Sequence, residues 1–286
     1  MNEWTAGETA AIVRAARGAP VLCHEQPWKL ELTGRDVELR EIIGGERYDL
    51  AGIDRLLSCG AALANIVLAV RALGWDTLVG LGGGLSEPNL VARVTAVRSD
   101  PPSDCELQLY RSISAPDVVT RGHGGPRELR RLMAVSGFRT ARLEPVGGVA
   151  FAAILHDASR QLDGDRRCAA ELIPWMSQRE FVPTRHSAGP VTRREAVRSL
   201  AARISARPMF AVVTDSDTRA DHVLAGTVMQ VALLAAPGLG FLPHPVVRPM
   251  HLRDTRLRLM NDFALNGFPQ ALFGVTPAEL NPWSQT

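Results

Sequence analysis

Leu56 to Trp75 reads LLSCGAALANIVLAVRALGW, and Val223 to Phe241 reads VLAGTVMQVALLAAPGLGF. Both runs are apolar on almost every side, the pattern of a helix buried all round. A membrane-spanning helix needs about 20 unbroken apolar residues. Asn65 and Arg71 interrupt the first run, and Gln230, Pro237, Gly238 and Gly240 interrupt the second. No aromatic or basic flanks mark a bilayer interface. The pair therefore predicts two core helices of a soluble protein. They also resemble each other. Setting Gly60 against Gly226 aligns Leu68 with Leu234, Ala69 with Ala235, Leu73 with Leu239, Gly74 with Gly240 and Trp75 with Phe241. Small residues in the early turns of each permit close approach of a second backbone. Each run stops at Leu-Gly-aromatic, where glycine supplies the left-handed conformation that ends a helix. A strand candidate follows each, Leu90 to Val97 and Gln270 to Val275, so an internal duplication is expected.

Working outward, the remaining chain reads as mixed α and β. Glu8 to Arg17 has helical spacing and ends at Gly18. Trp28 to Leu32 and Val37 to Ile42 alternate as a hairpin around Thr33-Gly34-Arg35-Asp36. Cys105 to Ile113 alternates as a strand, and Val149 to Leu155 reads as another. Pro126 to Ser136, with proline at its first position, predicts an amphipathic helix. Asp157 to Met176 and Thr192 to Ser205 are further helices, and Phe210 to Thr214 is a strand. Pro116 to Gly125 and Arg179 to Pro190 are loops, the second long enough for a lid. The expected division lies at Gly147-Gly148, giving halves 1–147 and 148–286.

With 286 residues, 46% of them hydrophobic and 22% charged, the chain can bury a full core without staples. A formal net charge of +2 leaves no electrostatic footprint for nucleic acid. Lys29 is the only lysine. The four cysteines, Cys23, Cys59, Cys105 and Cys168, form no CxxC pair, which suits reduced thiols in a cytoplasmic protein. Several polar groupings read as ordinary turns. Gly82-Gly83-Gly84 lacks the strand–loop–helix setting of a phosphate loop. Arg185-His186-Ser187 and Asp215-Ser216-Asp217 match no triad order. His244 and His251 lack a further metal ligand at a fixed spacing.

Ala19-Pro20-Val21-Leu22-Cys23-His24-Glu25-Gln26-Pro27-Trp28 stands apart. It joins the first helix to the first strand through a proline-bounded turn with a large aromatic anchor. Such a loop can present backbone and side-chain amides to a planar ligand.

This stretch resembles the AP-S-x-x-N-x-QPW segment of the FMN-dependent nitroreductase family, in its Acg-type branch. Leu57-Ser58-Cys59-Gly60-Ala61-Ala62-Leu63, Ala72-Leu73-Gly74-Trp75, Ala225-Gly226 through Leu239-Gly240, and Gly267-Phe268-Pro269-Gln270 resemble the branch in the same order. The resemblance implies an α+β, nitroreductase-like fold in which two αβ units are fused as a pseudo-two-fold dimer, with the central buried helices between them. It implies FMN in the cleft between the units, NAD(P)H as reductant, and hydride passed through flavin N5 to an unidentified small-molecule acceptor or from an unidentified substrate. Partners would be that small molecule, with no nucleic acid or membrane, in a monomeric pseudo-dimer or weak homo-oligomer. Carried over by position, the flavin-binding residues are Pro20, Val21, His24, Gln26, Arg111, Ser112 and Ser114. Val21 stands where relatives have serine, His24 where they have asparagine, and Ala115 where they have a second arginine. The tail from Thr276 to Trp283 lacks their basic residues, and Glu279 there would repel a phosphate. No Asp/Glu-Gly element is recognisable around Phe181-Val182-Pro183. Arg185, Arg248, Arg253 and Arg256 are the candidates to compensate. A descendant that has lost catalysis and sequesters flavin, or binds another ligand or protein, is the alternative reading.

Overall fold

A computed structural model of the chain describes residues 3–22, 26–43, 52–82, 84, 86–115, 124–137, 140–163, 192–205, 207–246 and 248–278. The first helix, α1 (Ala6–Arg17), opens on a capping box in which the Thr5 hydroxyl accepts from the Glu8 backbone N–H and the Glu8 carboxylate accepts from Thr5 N–H. The hairpin β1 (Trp28–Thr33) and β2 (Asp36–Glu41) follows, then α2 (Ile53–Ala72), β3 (Trp75–Leu81) and β4 (Leu90–Ser99). These four strands form an antiparallel sheet in the order β1-β2-β4-β3.

After α3 (Asp104–Ser114) and α4 (Pro126–Ser136) come β5 (Ala141–Val146), α5 (Gly148–Asp163), α6 (Arg193–Ser205), β6 (Met209–Thr214), α7 (Arg219–Ala235), β7 (Phe241–Val246), α8 (Arg253–Asp262) and β8 (Phe268–Pro277). Their strands form a second antiparallel sheet in the order β5-β6-β8-β7. The two sheets thus have the same strand order, each with its long apolar helix between the second and third strands. The protein is α+β, with two four-stranded sheets and eight α-helices among the described residues.

The two apolar helices form the most extensive helix–helix contact of the fold. A Cβ placed on Gly60 would lie 2.0 Å from Val223 O, and one on Gly226 would lie 2.0 Å from Leu57 O. Val223 and Leu57 sit at the same distance before Gly226 and Gly60, so the contact is reciprocal. Contacts advance along both helices together: Thr227 Oγ1 donates to Gly60 O at 3.1 Å, and Gln230 Nε2 donates to Asn65 Oδ1 at 2.9 Å. The helices therefore run in the same sense, with both N-termini at one end. α2 stops as expected ahead of Gly74, with φ +88°, whereas α7 ends at Ala235, two residues before Pro237, and a short 3-10 turn, Pro237–Leu239, carries the chain on to Gly240 with φ +83°. Although α2 is long and apolar enough to cross a bilayer, its surface is packed against α1, α3, α7 and the first sheet.

Two expected strands are helices. Cys105 to Ile113 lies in α3, because the Ser103–Glu106 capping box starts a helix and Leu109 and Ile113 then share its packed face. Val149 to Leu155 lies in α5, where Phe151, Ala152, Ile154, Leu155, Ala158 and Leu162 are buried at helical spacing. An unbroken apolar run does not distinguish the two structures by period. The expected helix from Asp157 runs as part of α5 to Asp163, and its continuation to Met176 lies outside the described residues. The Arg179–Pro190 loop and most of the Pro116–Gly125 loop also lie outside them. Strand β5 precedes Gly147-Gly148 yet pairs with β6 throughout.

Candidate functional site

The loop after α1 is held from both ends. Gly18 abuts α3 so closely that a Cβ there would lie 2.7 Å from Ile113 Cγ2. This places the α3 turn carrying Arg111, Ser112 and Ser114 beside the start of the loop carrying Pro20 and Val21. Pro20 and Val21 are half-buried, while Leu22 is buried and donates its N–H to Ser58 Oγ at 2.9 Å. Ser58 in turn donates to Asp54 O at 2.7 Å, so the loop is fastened to the first turns of α2. At the other end Trp28 is buried in the core packed on the first sheet, and its indole N–H has no partner among the described residues. Gln26 is exposed and uses one amide hydrogen to reach Trp28 O at 2.8 Å, which leaves its oxygen and second hydrogen available. His24 lies outside the described residues.

Arg111 and Ser114 are exposed, while Ser112 donates to Gln108 O at 3.1 Å. That bond consumes the Ser112 proton, so its oxygen can only accept a further bond. Arg256 is engaged elsewhere, donating to Asp217 Oδ1 at 2.6 Å and Pro269 O at 3.1 Å. Arg253 is exposed on α8, and Arg185 lies outside the described residues. The described donor set is thus one exposed guanidinium, one hydroxyl and one carboxamide beside a proline-stiffened turn. Arg111 is the one cation in that set and Val21 offers only an apolar side chain.

A second polar group sits where the N-termini of α2 and α7 meet. Glu41, at the end of β2, is buried between Arg55 Nε of α2 at 2.9 Å and Arg219 Nη1 of α7 at 2.7 Å. Asp54 of α2 pairs with His251 Nε2 at 2.9 Å. Both links join residues of the first unit to the second. Cys59 is close by, and burial, reinforced by the Glu41 charge, pushes its thiol up to about 12. It is an inert core thiol, as its sequence setting suggests. Nothing local in the sequence announces the Glu41 cluster, because its members come from four separate elements.

The third group surrounds Gln270 of β8. Its amide donates to Thr214 Oγ1 at 2.8 Å and Asp217 Oδ1 at 3.0 Å, so its oxygen must accept from His222 Nδ1 at 3.0 Å. This assigns His222 the Nδ1–H tautomer. Desolvation lowers the His222 pKa and Asp217 opposes it, with a net shift downward. Asp215 pairs with Arg142 at 3.1 Å and Asp217 with Arg256 at 2.6 Å. Arg185-His186-Ser187 and Phe181-Val182-Pro183 lie outside the described residues. His244 bonds Thr276 Oγ1 at 3.1 Å and His251 pairs with Asp54, so the two histidines have separate partners. Among the described residues no three His, Cys, Asp or Glu side chains group as metal ligands.

The fold and site together define an α+β protein of two matched sheets with an anchored loop at the head of the first. No family model matches the chain. Two proteins of Mycobacterium tuberculosis, from strains CDC 1551 and H37Rv and each named "Putative NAD(P)H nitroreductase", are 24% identical to it across 94% of this chain and 85% of their own length. This distant similarity, spread over nearly the whole chain, supports the nitroreductase family and a nitroreductase-type oxidoreductase.

Proposed function

We propose that the chain is an FMN-binding oxidoreductase of nitroreductase type, with NAD(P)H as electron donor, built from two related αβ units in one polypeptide. The observation that supports the reading is the close approach of Gly18, just ahead of the Pro20–Trp28 loop, to Ile113 in the α3 turn that bears Arg111, together with the reciprocal α2–α7 crossing. The repeated pattern is helix, strand, strand, long helix, strand, strand: α1 to β4 in the first unit, α4 to β8 in the second. In this reading the units join ahead of α4, and the division moves forward from Gly147-Gly148 because β5 belongs to the second sheet.

Bound FMN supplies hydride transfer at N5. The residues of this chain do the holding. Arg111 neutralises the phosphate, assisted by the Ser114 hydroxyl, and the Ser112 oxygen accepts from ligand hydroxyls. The exposed carboxamide of Gln26 offers a donor and an acceptor to the polar edge of a ring. Pro20 and Val21 supply a flat apolar wall, and His24 stands at the asparagine position as a donor or acceptor.

A charge-assisted contact to phosphate contributes about 1.5–3 kcal/mol, or roughly ten- to 150-fold in affinity. Titrating the purified chain with FMN while following flavin fluorescence should show saturable quenching. Arg111→Ala should weaken it within that range without moving the thermal transition. A chain that takes up no FMN would remove this function. Equal affinity in Arg111→Ala would show that the phosphate lies elsewhere.

A further inference from the structure

Asn266 and Gly267 lie in the turn between α8 and β8, at the head of the Gly267–Gln270 stretch. Of the six asparagines in the chain, Asn266 alone is followed by glycine. The pairing matters because the backbone nitrogen of the next residue can attack an asparagine carboxamide, and a residue without Cβ leaves that approach open. Asn266 is exposed. Asn65 is fully buried, Asn89 precedes the branched and buried Leu90, and Asn261 is held within α8. Asn2 and Asn281 lie outside the described residues.

The turn is strained and a cation sits on its central peptide. Ala264 has φ +49° and Gly267 φ +136°, so two of its residues occupy the half of the map that L side chains avoid. Gly267 N–H donates to Leu265 O, two residues back, at 3.1 Å, a bent closure outside any ladder. Arg142 of β5 donates from Nε to Glu144 Oε1 at 2.7 Å and from Nη1 to Asp215 Oδ1 at 3.1 Å. Held by these two carboxylates, the guanidinium turns Nη2 onto Asn266 O. Asn266 O and Gly267 N belong to one amide group. Negative charge left on that nitrogen when its proton departs spreads onto the oxygen, where Arg142 stabilises it.

We propose that Asn266 is a site of spontaneous covalent modification, where Arg142 promotes closure of Asn266 and Gly267 to a succinimide. Hydroxide from solvent takes the Gly267 amide proton, and the nitrogen attacks Asn266 Cγ. The N–Cγ bond forms, the Cγ–Nδ2 bond breaks, and Nδ2 takes a proton from water and leaves as ammonia. Water then opens the five-membered ring at either carbonyl, giving aspartate or isoaspartate. In net terms water enters and ammonia departs, with no oxidation or reduction. Isoaspartate adds one main-chain carbon just ahead of Phe268, which pairs with Thr214 at the start of β8. Gln270, which bonds Thr214, Asp217 and His222, follows two residues later. The proposal is independent of flavin binding.

Ageing the purified full chain in warm, mildly alkaline buffer and mapping its peptides by mass spectrometry tests it. Within days the peptide holding Asn266 should gain the mass difference between a hydroxyl and an amino group. An isoaspartyl methyltransferase should label the aged chain and leave the fresh chain unlabelled. Asn266→Gln should abolish both signals at that peptide. Arg142→Gln should slow the conversion about tenfold, the weight of one charge-assisted hydrogen bond. Arg142→Lys, which keeps a cationic donor, should fall between Arg142→Gln and the parent. Asn266 unchanged in the aged parent, conversion at Asn89 or Asn261 as fast as at Asn266, or Arg142→Gln converting as fast as the parent would each overturn it.

Discussion

Replacing Gly226 with alanine probes the contact on which the architecture turns. The added Cβ would lie 2.0 Å from Leu57 O, 2.7 Å from its carbonyl carbon and 2.8 Å from its Cα, all backbone atoms that cannot rotate aside. Restoring ordinary contact requires α2 and α7 to separate by about 1.4 Å at the crossing, and a gap of even 0.5–1 Å forfeits a quarter to a half of each dispersion contact. Two buried hydrogen bonds span the same seam, Thr227 to Gly60 and Gln230 to Asn65. Overpacking costs about 1–3 kcal/mol and each of the two lost hydrogen bonds about 0.5–1.5, so the total is about 2–6 kcal/mol. At about 2 °C per kcal/mol for a chain of this size, that corresponds to a fall of roughly 4–12 °C in Tm. The reciprocal geometry requires Gly60→Ala to cost a similar amount, since its Cβ would meet Val223 O at the same 2.0 Å. Gly7→Ala is the control: nothing lies within 4 Å of its Cβ, and in the first turn of α1 alanine should stabilise by up to about 1 kcal/mol. Denaturant unfolding of the three variants measures this. If Gly226→Ala stays within about 1 kcal/mol of the parent, the helices do not cross at these glycines.

Other outcomes follow from the rim of the first sheet and from titratable groups on α1, α5 and α7. Arg35 lies 4.2 Å from the Trp75 ring and 4.8 Å from the Trp4 ring, and pairs with Glu8 at 2.9 Å. Arg35→Ala should therefore destabilise by about 1–3 kcal/mol, and Arg35→Lys, which keeps charge but not planar stacking, should recover less than half. Burial alone would raise the Glu8 pKa, but the Thr5 N–H, Arg35, the Thr5 hydroxyl and the Trp75 indole together hold it at about 2. Its contribution is present above the ordinary 4.5 and is lost as pH falls from there towards 2. Desolvation lowers the pKa of His222 and His156 below 6.5, so the unfolded chain takes up their protons first and stability declines as pH drops through 6.5. Tm against pH should fall in those two stages, with His222→Gln flattening the upper one and Glu8→Gln the lower. A flat profile from pH 7 to 3 would contradict both assignments.

How far the amino-acid order reveals this molecule depends on whether each signal is local. The α2 and α7 helices are legible because their small residues and terminal glycines carry the packing and the stop within one stretch of chain. The Gln26-Pro27-Trp28 turn is legible for the same reason. α3 was hidden by an accidental two-residue alternation, although the Ser103–Glu106 box just ahead of it marks a helix start. β3 and β7 escaped notice for opposite reasons: β7 has two prolines that read as turn, and β3 leaves its side chains exposed on both faces. The Glu41–Arg55–Arg219 and Asp217–Arg256–Gln270 clusters could not be read at all. Their members are scattered along the chain, and each looks like an ordinary surface polar residue until the fold brings it to its partners.

The most direct test of the whole account is to load the purified chain with FMN and add NADPH without oxygen, watching the visible flavin absorbance. The account predicts that the bound flavin bleaches and that a nitroaromatic acceptor restores it. Bound flavin left unchanged by both NADPH and NADH, or no flavin retained, would contradict it.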